Sequence, residues 1–561
     1  MKPRHLLLFF LFTVHQATAQ RLSKEANYEI SGKANRGYMY EPVIDEANNK
    51  LSLTFVTKST NKKAKFETYN FDLDFNFKSK EDSEVPMEKV KGYRADKGEE
   101  WEQEAVTVEK NFMGTLILRR KTYKYKWNWF WGGYDRKVTS GEKLKPKTDD
   151  GGKLQYITHA EQPNGDIMII ATDKGKGLGN MLTMTTEFHI LRYDHELNKL
   201  SDEEFKFDFP QTLVAANTDD ADEDEENTEQ KELIMVFAPM GGKGFKSVAD
   251  PDAKNYSFAR ISTDGKLKER IPFKSKTGIF NGDMLIETND GVYIVGATGD
   301  EDSQKDYFNE KFAAPFGMRD EEIEKFKAKG FQIVKIANGK AVYTTLNTLD
   351  DFDKKSQSPP SQKRKPEYTG RKFKVSTVKA MPNGDLMIAG QKYSKAKGGG
   401  LGGNKFLGTI TGTGGGGGAA PGGPQYEDII MMHFANDGIL RAAYGVRREE
   451  NDKDAKSSAN NQLLWVAPDG KLYWTIMEMK GWRQEKELGE SKYKFLLYPN
   501  VAIVDVQNAK IGEFVQFGQG KTDYYVNNKY PMMPLQGNSQ IFFFGENKNG
   551  KTLWFAKMPL E

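Results

Sequence analysis

Pro382-Asn383-Gly384-Asp385 leads directly into the apolar run Leu386–Ala389, and Asp428–Phe434 further on closes with Asn436-Asp437-Gly438. The same grammar appears earlier: Pro163-Asn164-Gly165-Asp166 precedes Ile167–Ile170, and Asp194–Asn198 ends the run Phe188–Tyr193. Asn-Gly and Asp-Gly supply the positive φ that tight hairpins need, so each pair of runs reads as two hairpins separated by a longer segment. The pattern recurs about eight times, with units starting near residues 41, 104, 153, 211, 279, 372, 459 and 531. Repeats of four short strands predict an all-β chain folded as a β-propeller. Eight four-stranded blades are expected, or seven if the second unit is not a blade. The last unit lacks an outer strand, and the isolated run Tyr28–Ser31 is expected to supply it. Pairing of N- and C-terminal strands would then close the ring and remove its free edges.

Extra length is unevenly placed. The first-to-second and third-to-fourth turns are short, whereas most insertions fall between strands two and three, at 121–134, 171–187, 238–255, 298–330, 391–427 and 478–498. In an up-and-down blade those segments emerge on one face, so one face is expected to carry long loops. Within 298–330, Arg319–Lys329 reads as a short helix, acidic first and basic last in keeping with the helix dipole. The acidic run Asp219–Glu232 sits between strands one and two instead. It lacks calcium-loop spacing and reads as a solvated loop.

Residues 1–19 read as a signal peptide. Lys2 and Arg4 precede the apolar Leu6–Val14, which is too short to span a bilayer, and Ala17-Thr18-Ala19 offers a cleavage site before Gln20. Residues 20–561 are then one propeller domain. The chain has no cysteine, which excludes disulfides, thiolate metal sites and a lipid-modified cysteine. No later run is long and apolar enough for a transmembrane helix. With Lys2 and Arg4 gone, 80 basic side chains meet 79 acidic ones, so net charge points to no nucleic acid or other polyanion.

The candidate partner-binding residues lie in the long segments. Tyr123, Tyr125, Trp127, Trp129, Phe130 and Trp131 form the densest aromatic cluster, interleaved with Lys121, Lys124 and Lys126. Lys174 and Lys176, Lys243, and Lys395 and Lys397 stand in glycine-rich stretches, and Trp482 marks the seventh unit. Large aromatics among cations suit a protein interface, a sugar platform or a headgroup layer. The glycine-rich stretches fit neither a P-loop nor a dinucleotide fingerprint and read as linkers. There is no G-x-S-x-G elbow and no H-E-x-x-H helix; His159, His189, His195 and His433 read as structural. No catalytic residue, metal or cofactor is expected.

Cleaved leader, absent cysteine and irregular repeats over nearly the whole mature chain resemble exported propeller proteins of Gram-negative bacteria. The layout is similar to the plug subunit of the type 9 secretion translocon. That resemblance implies a periplasmic, non-enzymatic docking protein that binds an outer-membrane complex and occludes a secretion pore. A glycan-binding or glycan-cleaving propeller, and a scaffold with no stable partner, are the alternatives.

Overall fold

The computed structural model describes residues 20–60, 63–86, 101–111, 114–128, 133–148, 151–162, 164–173, 185–217, 232–239, 256–277, 279–282, 284–299, 328–362, 365–368, 373–395, 424–446, 459–487, 490–528, 530–535, 537 and 539–560. Strands dominate, and nearly all pair antiparallel. Short turns set them up as expected. Gly165 and Gly384 adopt φ of 84° and 85°. Asn164 and Asn383 Oδ1 each accept the backbone N–H two residues on, at 3.1 Å. An L side chain at either glycine would carry the strain of the left-handed region.

Along the chain the strands fall into antiparallel groups. The first holds Tyr38–Asp45, Lys50–Ser59, Lys63–Phe71 and Phe77–Pro86; the second holds three strands, Trp101–Lys110, Leu116–Asn128 and Gly133–Leu144. The third and fourth form one seven-stranded sheet. Its strand Lys199–Ala216 pairs with Thr185–Tyr193 along its first part, and from Gln211 onward with Leu233–Pro239. The fifth runs from Ile279 to Thr348. The sixth is built on Phe373–Ala380, Leu386–Lys395, Pro424–Phe434 and Leu440–Val446, with Ser356–Gln357 added parallel on its outer edge. The seventh (Gln462–Gln516) and eighth (Met532–Pro559) are linked through Tyr524–Val526. Strand Lys24–Glu29 completes the eighth, pairing with Thr552–Pro559 from Lys24↔Lys557 to Glu29↔Thr552. That strand starts four residues before the Tyr28–Ser31 expected from sequence. Ser31 instead caps the helix Gly32–Arg36.

Apolar packing joins successive groups face to face. Leu118 and Ile169 share a cluster between groups two and three, Ile170 and Met235 between three and four, and Val236 and Ile294 between four and five. Ile333 and Ile388 pack between five and six, Met431 and Trp474 between six and seven, and Tyr473 and Phe543 between seven and eight. Phe555 and Phe71 then join the eighth group to the first. Alternation puts each strand's two faces against two neighbours, which is why the middle strands read as continuous apolar runs. A second helix, Leu349–Lys355, is fixed by a capping box between Thr348 and Asp351 and buries Phe352 between groups five and six. Of the helix expected at 319–329, residues 319–327 lie outside the described residues, and Ala328 and Lys329 open the strand Ala328–Ala337 instead, paired with Gly291–Gly299. The acidic run up to residue 231 also lies outside the described residues. No helix is long and apolar enough to cross a membrane among the described residues.

Candidate functional site

Two of the segments expected as loops are strands. Residues 121–128 and 133–134 belong to two antiparallel strands that pair from Leu118↔Leu144 out to Asn128↔Gly133. Residues 478–487 and 490–498 belong to another such pair, matched from Leu472↔Val504 out to Glu487↔Glu490. The reason is period-two alternation. Lys124 and Lys126 fall on one face and Tyr123 and Tyr125 on the other, a strand pattern despite its charge. The second pair runs well past the rest of its sheet as a two-stranded ribbon, whereas Trp101–Lys110 accompanies the first pair as a third strand out to Trp101↔Tyr125. Segments 174–184, 240–255, 300–327 and 396–423 connect the second and third strands of their groups and lie outside the described residues.

In the second group, Tyr123 and Tyr125 are half-buried, with ring centroids 6.5 Å apart. Val138, opposite Tyr123, is 49% exposed. Trp127 sits opposite Tyr134 in register. Trp129, Phe130, Trp131, Lys174, Lys176, Lys243 and Lys397 lie outside the described residues, and Lys395 is placed as the strand-end partner of Pro424. The structure therefore brings Tyr123 and Tyr125 together and sets Trp482 apart, on the seventh group.

The seventh group's ribbon has two unlike faces. Arg483 and Lys494 are register partners, and both reach Glu546 of the eighth group, Lys494 Nζ at 2.5 Å from Oε1. Arg483 also donates to the Lys548 carbonyl at 2.5 Å. Burial raises the Glu546 carboxyl, but the two cations outweigh it and hold it below the usual range. On the opposite face Trp482 and Phe495 stand directly across from each other, 47% and 36% exposed. Asn528 braces the base of the ribbon, accepting from Phe495 N and donating to Phe495 O, each at 2.7 Å. Phe495 was not singled out from sequence. The signal for it lies in the sequence, because positions 482 and 495 are equally far on either side of Leu488-Gly489.

A cavity of about 250 Å³ lies between groups two and three, lined by Glu104, Val106, Arg120, Glu161, Ile167 and His195. It opens beside the short turns, and His195 is exposed there. The other well-connected histidine is sealed. His433 Nε2 is 2.8 Å from Asp385 Oδ2, its Nδ1 2.9 Å from Tyr444 Oη, and Arg441 donates to the same Asp385 oxygen at 2.9 Å. Burial pushes the imidazole below its usual value against the pull of Asp385. For Asp385, burial works upward, yet His433, Arg441 and Asn383 hold it low. His433 is fully buried, and this relay-like set braces the sheet. His189 is also buried, among Asp173, Asp202 and Glu204. Among the described residues, no group of three or more His, Asp or Glu side chains has the geometry to hold a metal ion.

No family model matches the sequence, and no curated protein does. Solved structures align over much of its length at low similarity. A variant of the Synechocystis apocarotenoid oxygenase is 9% identical, with 80% of this chain and 88% of that one covered and a TM-score of 0.26. The WD40 domain of SCAP from fission yeast is 6% identical over 96% and 98%, with a TM-score of 0.22. The polysaccharide lyase Uly1 is 10% identical over 98% and 94%, with a TM-score of 0.24. Likenesses at this level carry no argument about what the chain binds or catalyses.

Proposed function

We propose that this chain is an exported, non-enzymatic docking protein of the bacterial envelope: an eight-bladed propeller, closed by pairing Lys24–Glu29 with Thr552–Pro559, that binds an outer-membrane protein complex. In this reading the ribbon-bearing face meets the partner, and a disc so placed occludes a secretion pore. The observation that carries it is the aromatic pair Trp482 and Phe495, exposed on a ribbon held rigid from behind by Glu546. Exposed aromatics on a fixed support lose little conformational entropy on binding, and such residues dominate interface energetics. The leader-like residues 1–19 and the absence of cysteine support export without lipidation.

The test is affinity capture of the tagged protein from detergent-solubilised envelope, alongside a Trp482→Ser/Phe495→Ser variant. Stoichiometric recovery of an outer-membrane barrel with the parent and its loss with the variant support docking through this ribbon. Recovery of both proteins alone, as soluble monomers, overturns the reading and turns attention to glycan screening.

A further inference from the structure

We infer that the junction between the first and second groups is a polar seam at which the ring opens while its other junctions stay shut. This rests on the ring reading proposed above, in which those two groups are neighbours. Seven buried apolar clusters join the groups in sequence from two through eight and back to one. Among the described residues, no such cluster joins one to two.

Alternation shows why. In the first group, Leu51, Leu53 and Phe55 face the eighth group, so Ser52 and Thr54 face the other way. Ser52 Oγ donates to Asn70 Oδ1 at 2.8 Å, and Thr54 and Thr68 hydroxyls lie 3.1 Å apart. Asn70 donates onward to Glu81 at 2.6 Å, forming a polar ladder across the sheet. A small cluster on that face, Val56, Ala64 and Phe66, draws only on its own group. Val43, beside Ser52 in register, is 47% exposed.

The second group answers in kind. Leu116 and Leu118 face the third group, which leaves the buried Ile117 on the other side together with Arg119 and Lys121, the latter two both bonded to Glu109 at 2.7 Å. The same face runs outward into Tyr123 and Tyr125, which pair with Gln103 and Trp101. Separating two apolar faces exposes oily surface to water, whereas polar faces exchange their contacts for water at little net cost. Opening at the seam would swing Tyr123 and Tyr125 of the second group relative to the first.

The absence of cysteine makes the test clean, because spin labels attach only where cysteines are introduced. Glu81→Cys/Lys143→Cys places labels on the exposed outer strands flanking the seam; Lys143→Cys/Glu203→Cys does so across the apolar junction between groups two and three. Electron-paramagnetic distance measurements are made in buffer and in urea below the unfolding transition. The expected result is a seam pair with a neighbour-like distance plus a longer population that grows with urea, while the control pair stays single. A seam distance as narrow and as fixed as the control overturns the seam and leaves the ring standing. A seam pair with no neighbour-like population under any condition overturns the ring reading, and the inference with it. Hydrogen exchange on the unlabelled protein provides a second readout: comparable opening energies at all junctions would overturn the seam.

Discussion

Trp482 and Phe495 oppose each other across one ribbon, both exposed, while the adjacent rung of that ribbon, Arg483 and Lys494, converges on the buried Glu546. One rung presents apolar surface and the next anchors it. Substituting the aromatics therefore probes binding, and substituting the anchor probes stability.

Trp482→Ala and Phe495→Ala are each expected to leave the unfolding midpoint nearly unchanged, within about 0.5 kcal/mol for exposed side chains. Each is expected to weaken partner capture by about 2 kcal/mol or more, as interface aromatics do. Thermal unfolding and quantitative pull-down, run on the same preparations, check both halves.

Glu546→Gln strands two cations over a buried site, and a loss of about 3–5 kcal/mol is expected. Pairing it with Lys494→Met is expected to recover part of that loss, a coupling that a double-mutant cycle in urea measures. Because the Glu546 carboxyl is held low in the folded state, its contribution is present above the unfolded glutamate value and disappears as pH falls through the folded one.

Trp554 Nε1 donates to Glu25 Oε1 at 2.6 Å from a fully buried indole. Glu25→Ala removes that acceptor and is expected to cost about 1–3 kcal/mol. Trp554→Phe in the Glu25→Ala background is expected to cost less than it does alone. Chemical denaturation of the four proteins decides whether the terminal strand is held by this bond.

Acid is expected to weaken the sixth group. Burial holds the His433 imidazole below its unfolded value, so the unfolded chain binds the extra proton first. Stability is then full above about pH 6.5 and falls as pH drops toward the folded value. The Asp385 carboxyl is also held low, so its contribution fades at still lower pH and in the same direction. Urea titrations at about pH 8 and about pH 5.5 check this, and a shallower slope is expected for His433→Gln.

The hairpin grammar was readable because Asn-Gly-Asp turns dictate backbone geometry locally, and Leu386–Ala389 or Ile167–Ile170 then had to be strands. What escaped was long-range. Lys199–Ala216 looked like separate strands, because nothing in one strand's own composition reveals that it pairs in two groups. The Lys-Tyr alternation near residue 123 has the composition of a loop and the period of a strand, and the period prevails. Thr348-Leu349-Asp350-Asp351 is a local helix signal, a capping box overshadowed by the strong strand patterns around it. Among the candidate residues, Trp482 stood out by residue type, whereas Phe495 acquires meaning only through register. The polar faces of Ser52 and Arg119 were legible as alternation, but their importance depends on which groups become neighbours.

The pairing of Glu25 with its partner strand has a temporal side. The indole it meets lies 529 positions further along the chain, so the first strand made must wait for almost the last. Until Thr552–Pro559 arrives, Lys24–Glu29 has an unpaired edge, and the eighth group remains incomplete. Closing so long a loop carries an entropic cost that local hairpins avoid, and contacts of such separation form slowly. Assembly of this chain is thus expected to end where it began, with the terminal strand docking as a late step after the inner groups have collapsed.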